Sequence, residues 1–110
     1  MTQEEIDKLN DMAIYEELRA VIDPELFVNI VDLGLIYGLE LTKEPFPKVH
    51  IDLTLTSRGC PMGDTIMQDI RETCGRCFPG MEVDIELVWE PAWCMDFVTE
   101  QGKLELSGGY

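Results

Sequence analysis

Of the four cysteines in this 110-residue chain, Cys60 stands in the setting best suited to chemistry. The run Ser57-Arg58-Gly59-Cys60-Pro61 follows an alternating segment and precedes a helical stripe, so Cys60 falls at the N-cap of a helix that starts with proline. Unpaired backbone amides at that end favour an anion. They lower the pKa of a thiol, and the thiolate is the form that binds metal or attacks an electrophile. Arg58 adds a positive charge in a chain that has few. From spacing alone a second reading stays open, in which Cys60 is a small residue filling a strand-to-helix turn.

The other thiols have weaker signatures. Cys74-Gly75-Arg76-Cys77 has redox spacing, but it ends a helix, where the dipole opposes a thiolate, and an apolar stripe leading into it predicts packing. A four-thiolate zinc site normally uses two close pairs, whereas Cys60 and Cys94 stand alone. A site of two or three thiolates shared between protomers stays open. Thiol-protease chemistry needs a neighbouring histidine. The only one, His50, lies seven strand residues before Ser57, about 23 Å away, and reads as an exposed strand residue. Trp89 and Trp93 read as core or rim packing, with Trp93 placed to flank a site.

The elements that position these residues follow from periodicity. Thr2 and Glu5 have capping-box spacing, and Ile6, Leu9, Ala13, Leu18, Val21 and Ile22 recur at helical intervals, predicting one helix over about residues 3–22 that stops at Asp23-Pro24-Glu25. Leu33, Leu35, Tyr37, Leu39 and Leu41 alternate as a first strand, with Gly34 and Gly38 marking a bulge or a close backbone approach. Val49, Ile51, Leu53 and Leu55 form a second strand. Met62, Ile66, Ile70, Cys74 and Cys77 stripe a second helix that ends at Pro79-Gly80. A third strand spans residues 83–89, and residues 92–101 supply one or two helical turns before GKLEL and a loose tail at 107–110. The order helix, strand, strand, helix, strand, short helix predicts one α+β domain over 1–110, with helices packed on a small mixed sheet.

A short turn makes the first two strands antiparallel, and a helical crossover makes the second and third parallel. Three segments then meet at one sheet edge: the DPE-to-NIVD stretch, TSRGCP and EPAWC. Open sheets bind ligands beyond the carboxyl ends of their parallel strands. Asp23, Glu25, Asp32, Arg58, Cys60, Trp93 and Cys94 are therefore candidates for one shared site, with Asp96 nearby.

Composition bounds the partners. Eight Lys and Arg against 22 Asp and Glu give a formal net charge of −14, which opposes nucleic acid and anionic membranes. The acidic, amphipathic N-terminus is unlike a secretory signal or transit peptide. A cytoplasmic setting is expected, with its cysteines as thiols or metal ligands rather than disulfides. A hydrophobic share of 45% suffices for one core without metal or disulfide staples.

Taken together, DPELFVNIVDLGLIYGLEL, LTLTSRGCPMGDTIMQDI and VDIELVWEPAWCMDFVTE resemble the SufT/PaaD-like iron-sulfur cluster assembly domain family, over about residues 12–101. The resemblance implies an α+β fold related in topology to KH and NifU C-terminal domains, and a role in maturing iron-sulfur proteins. It implies Cys60 as the functional cysteine, Asp23 as the acid of the DPE motif and Thr56 as the threonine before the GCP turn. Where the family has Ser or Thr after its tryptophan, this chain has Cys94, either a second ligand beside Cys60 or a size swap for serine. The cysteine-rich tail of PaaD is absent, and no basic GxxG loop supports RNA binding.

The expectation is an accessory factor, not an enzyme, that assembles or delivers iron-sulfur clusters through a Cys60 thiolate. Its cargo is a transiently held cluster or iron, and its partners are the assembly machinery and client apoproteins. Incomplete ligation by one or two cysteines calls for a partner or a homodimer. Rival expectations are a metal-free protein-protein adaptor, a PaaD-like accessory protein for an oxygenase, and a thiol enzyme.

Overall fold

The alternation around residue 50 is realised in the middle strand of a three-stranded sheet. Here β2, Lys48–Leu53, buries Val49, Ile51 and Leu53 on one face and turns Lys48, His50 and Asp52 to the other. β1, Ile36–Thr42, pairs antiparallel to it and β3, Glu82–Leu87, pairs parallel, in the order β1-β2-β3. The crossover that a parallel pair requires is α3, Gly63–Cys77, whose Ile66, Ile70 and Cys74 are fully buried. This structure, a computed structural model, describes residues 1–57 and 63–108. Arg58 and Cys60 lie outside the described residues, as do positions 109–110 of the expected tail.

Two corrections concern helices. The single helix expected over 3–22 is two, α1 (Gln3–Lys8) and α2 (Asp11–Leu18). Leu9 leaves α1 in an extended conformation and is buried, while the Asn10 side chain accepts a 2.9 Å hydrogen bond from the Ala13 amide and starts a new helix. α2 then stops at Leu18 because residues 21–23 pair antiparallel with 28–30, through Ile30 N to Val21 O at 3.0 Å and Asp23 N to Val28 O at 3.0 Å. The Thr2–Glu5 capping box does open α1. At the other end GKLEL is helical: a 3-10 turn at Met95–Phe97 is followed by α4, Glu100–Leu106, capped by Thr99.

Both glycine expectations for the first strand are realised. The β1–β2 register shifts between Ile36 and Gly38, so Tyr37 sits in a bulge. Gly34 has φ of +76° and lies against the Phe97 backbone. Leu33 and Leu35 are fully buried, but in the turn before β1 rather than within it.

The core is one cluster in which Ile14 and Leu18 of α2, Ile66 and Ile70 of α3 and the inward row of β2 meet Val21, Val28, Ile30, Leu33 and Leu35. Each such fully buried aliphatic side chain is worth roughly 1.5–3 kcal/mol. Among the described residues no helix is long and apolar enough to cross a membrane.

Candidate functional site

The strand ends bring part of the expected site together. Thr54, Leu55, Thr56 and Ser57, which leave β2 towards Cys60, line a cavity of about 130 Å³ with Trp89, Ala92 and Trp93, which leave β3. Trp93 is held there by its indole Nε1, which donates to Leu33 O at 2.6 Å and so ties the segment after β3 to the turn before β1. The next residue, Cys94, is exposed. Thr56 and Trp93 thus share one cavity, through the convergence of three segments that strand order requires, while Cys94, next to Trp93 in the chain, is not among its lining residues.

The acids expected at this edge behave differently. Asp23 is buried, and its Oδ1 accepts hydrogen bonds from the Glu25 amide at 2.7 Å and the Leu26 amide at 3.0 Å. Its carboxylate therefore shapes the turn that carries the exposed Glu25, rather than lining the Thr56–Trp93 cavity. Asp32 is also buried and is a junction. Oδ1 accepts from Arg19 at 2.8 Å and from Thr99 Oγ1 at 2.8 Å, and Oδ2 accepts from Asn29 Nδ2 at 2.7 Å. Burial pushes the Asp32 pKa up, but the hydrogen bonds from Asn29, Arg19 and Thr99 outweigh it and hold the group below the ordinary carboxylate value. Thr99 in turn accepts from the Gly102 amide at 3.0 Å, so Asp32 anchors the N-terminus of α4. Asp32 is engaged through both carboxylate oxygens and Asp23 through Oδ1, and each carboxylate shapes the backbone around it. Asp96 lies in the 3-10 turn and is exposed.

Sequence reasoning assigned Tyr37 only to a strand face. Its hydroxyl donates to Pro91 O at 2.7 Å and its ring meets Phe97 edge-on, with centroids 5.8 Å apart, in a cleft of about 540 Å³ also lined by Gly34, Ile36 and Glu90. Burial is the main cause that raises the Tyr37 pKa, with the charges of Cys94 and Glu90 adding to it. Tyr37 therefore remains a neutral donor that braces the segment leading to Trp93 and Cys94. The available signal was Gly38, because a bulge there re-aims the residue before it.

Cys74 packs in the core, and burial, with the neighbouring Cys77 adding to it, pushes its thiol up to about 11. Cys77 is half-buried, its Sγ donates to Glu17 Oε2 at 3.2 Å, and burial and then Glu17 raise its pKa. Both shifts disfavour thiolates, as expected at the end of a helix. His50 lies on the outward face of β2 between Asp84 and Asp52, which raise its pKa, Asp84 more strongly.

A small mixed sheet with a helical crossover, and a strand-end cavity lined by Thr56 and Trp93, defines the chain as an α+β domain. The chain belongs to the family described as iron-sulfur cluster assembly protein, whose model matches residues 11–86. It is 40% identical over 93 residues to a Fe-S protein maturation auxiliary factor of Porphyromonas gingivalis, covering 84% of this chain and 87% of that protein. It is 34% identical over 103 residues to the Fe-S protein maturation auxiliary factor YitW of Bacillus subtilis, covering 94% and 96%. The fold is similar to a crystal structure of a domain of unknown function, DUF59, from Bacillus anthracis, with a TM-score of 0.82, 34% identity and coverage of 96% of this chain and 94% of that one.

Proposed function

We propose that this protein is an accessory factor in iron-sulfur protein maturation, taking up a cluster or iron on the Cys60 thiolate and passing it to client apoproteins. The family and the names of its relatives support the accessory role. The observation that supports the thiol reading is the cavity lined by Thr56 and Ser57, which precede Cys60 in the chain, and by Trp93, which precedes the exposed Cys94. Thiolates are the ligands such cargo needs, and the exposed Cys94 is the candidate second donor. Asp32 is engaged through both oxygens, and Asp23 through Oδ1, in bonds that shape the backbone. One or two thiolates leave iron under-ligated, which suits transfer rather than storage, and a client, an assembly protein or a second copy completes the coordination. In this reading the protein acts as a carrier rather than a turnover enzyme.

Alkylation followed residue by residue across pH tests the thiol. Cys60 is expected to react with a midpoint clearly below the unperturbed value of about 8.5. Buried Cys74, at about 11, stays unmodified in the folded chain and serves as internal control. A Cys60 midpoint at or above the ordinary value sinks the activated-thiolate reading and leaves the metal-free adaptor.

A further inference from the structure

The outward face of the sheet carries a group that thiol chemistry does not use. The ladders place Glu40, His50 and Asp84 in one row across the three strands, and Gly38, Asp52 and Glu86 in the next. His50 Nδ1 lies 2.7 Å from Asp84 Oδ2, while Nε2 lies 2.9 Å from Asp52 Oδ1 and 3.8 Å from Glu86 Oε1. Among the described residues, the only recorded cationic partner of Asp52, Asp84 and Glu86 is this one imidazole, since Lys48 pairs with Glu82 at 3.9 Å. Three carboxylates thus converge on one ring, on a face turned away from the apolar core and open to solvent.

We propose that His50, Asp52 and Glu86 form a binding site for a divalent first-row transition-metal ion, with Nε2 and one oxygen from each carboxylate as ligands. Their donor atoms lie within 4.8 Å of one another. Metal–ligand bonds of about 2.0–2.2 Å put the donor atoms around one ion about 3–3.5 Å apart, so the exposed carboxylates need only small rotations to close on it. Asp84 is a positioning residue: it accepts the Nδ1 proton, so that when the ion displaces to solvent the proton that Nε2 donates to Asp52, the freed Nε2 lone pair already faces the carboxylate pair, the usual support of a metal-bound histidine. The backbone beneath is rigid, because Asp52 and Glu86 are partners in the parallel ladder and His50 is two residues along the same strand. One imidazole and two carboxylates are borderline-to-hard donors suited to Zn²⁺, Fe²⁺ or Co²⁺, and the ion offsets the excess negative charge of the face. Water completes its coordination, and the site is independent of Cys60.

Anaerobic Co²⁺ titration of the full chain, read by visible absorption, is the test. The native protein is expected to bind one ion at this site with weak ligand-field bands, lacking thiolate charge transfer, and to retain it in the Cys60→Ser, Cys94→Ser double variant. His50→Gln and Glu86→Gln, whose side chains lie on a solvated face, are expected to keep the native unfolding transition and to weaken this binding at least about tenfold. Asp84→Asn is expected to change the ring tautomer of His50 seen by ¹⁵N NMR and weaken binding less. Co²⁺ affinity of His50→Gln within twofold of native, absence of thiol-independent binding up to millimolar Co²⁺, or loss of all binding in the double cysteine variant overturns the proposal.

Discussion

Asp32→Ala is expected to lower the stability of the fold by about 3 kcal/mol, since it deletes a buried carboxylate that accepts charged or polar hydrogen bonds from three side chains. Arg19 is partly exposed and recovers water, but Asn29 Nδ2 and Thr99 Oγ1 lose their acceptor at a buried junction. The end of α2, the 21–30 turn and the start of α4 all meet at this group, so loss of α4 docking is expected to precede global unfolding. Asp32→Asn, nearly isosteric, is expected to lose most of the same stability, because in either orientation its NH2 meets a donor, Asn29 Nδ2 on one side or Arg19 on the other, and the charge that pairs with Arg19 is gone. The pH dependence follows in sign. The folded-state pKa lies below the unfolded one, so the contribution is complete above about pH 4 and is lost as pH falls through the folded value. Urea unfolding of native and variant protein at pH 7 and pH 3 checks this. The native chain loses stability between the two values, and the difference between native and Asp32→Ala narrows at the lower one. A variant as stable as native at pH 7 contradicts the junction.

Gly34→Ala is expected to cost about 3 kcal/mol as well, for a different reason. Residue 34 has φ of +76°, which costs an L-residue about 1–2 kcal/mol. A methyl group there also collides with the Phe97 carbonyl oxygen and stands 2.9 Å from the Phe97 Cβ, so the 93–97 segment must move away, adding roughly 1–3 kcal/mol. That movement strains the Trp93 to Leu33 hydrogen bond and opens the cavity, coupling a backbone position to the candidate site. Urea unfolding reads the stability, and tryptophan fluorescence reads the added solvent access of Trp93. Gly75→Ala in α3 is the control: nothing lies within 4 Å of its added Cβ, and it is expected to be neutral or to stabilise by up to about 1 kcal/mol. Equal effects at the two glycines contradict the close-approach account.

What the sequence revealed and what it hid have physical causes. The alternation of Val49, Ile51 and Leu53 and the crossover stripe of Ile66, Ile70 and Cys74 sufficed to place β2 and β3 in parallel, because each pattern buries one face only one way. Gly34 and Gly38 were legible as a close approach and a bulge. The break at Leu9-Asn10 was hidden because Leu9 and Ala13 keep helical spacing while Asn10 competes as a cap through a single side-chain bond. Periodicity assigns no element to GKLEL, yet Gly102 sits inside α4, where a Cβ would lie 2.9 Å from Asp32 O; small size rather than flexibility is what the position requires. Asp23 and Asp32 drew interest as acids at an edge, but which amides and hydroxyls surround a carboxylate is a tertiary fact. The pattern predicts His50 as an exposed strand residue; it is a half-buried one on the outward face of β2, and its convergence with Asp52 and Glu86 depends on the register of two ladders.

The central claim, that Cys60 carries iron-sulfur cargo, is tested most directly by anaerobic reconstitution with iron and sulfide. Bound iron and sulfide, and their transfer to an apo-ferredoxin, are measured for the native chain, Cys60→Ser and Cys94→Ser. The native chain is predicted to load and transfer, and Cys60→Ser to lose both while keeping its unfolding transition. Loss in Cys94→Ser identifies the second donor, and native loading there reads Cys94 as a size match for serine. Loading and transfer by Cys60→Ser equal to native would contradict the account.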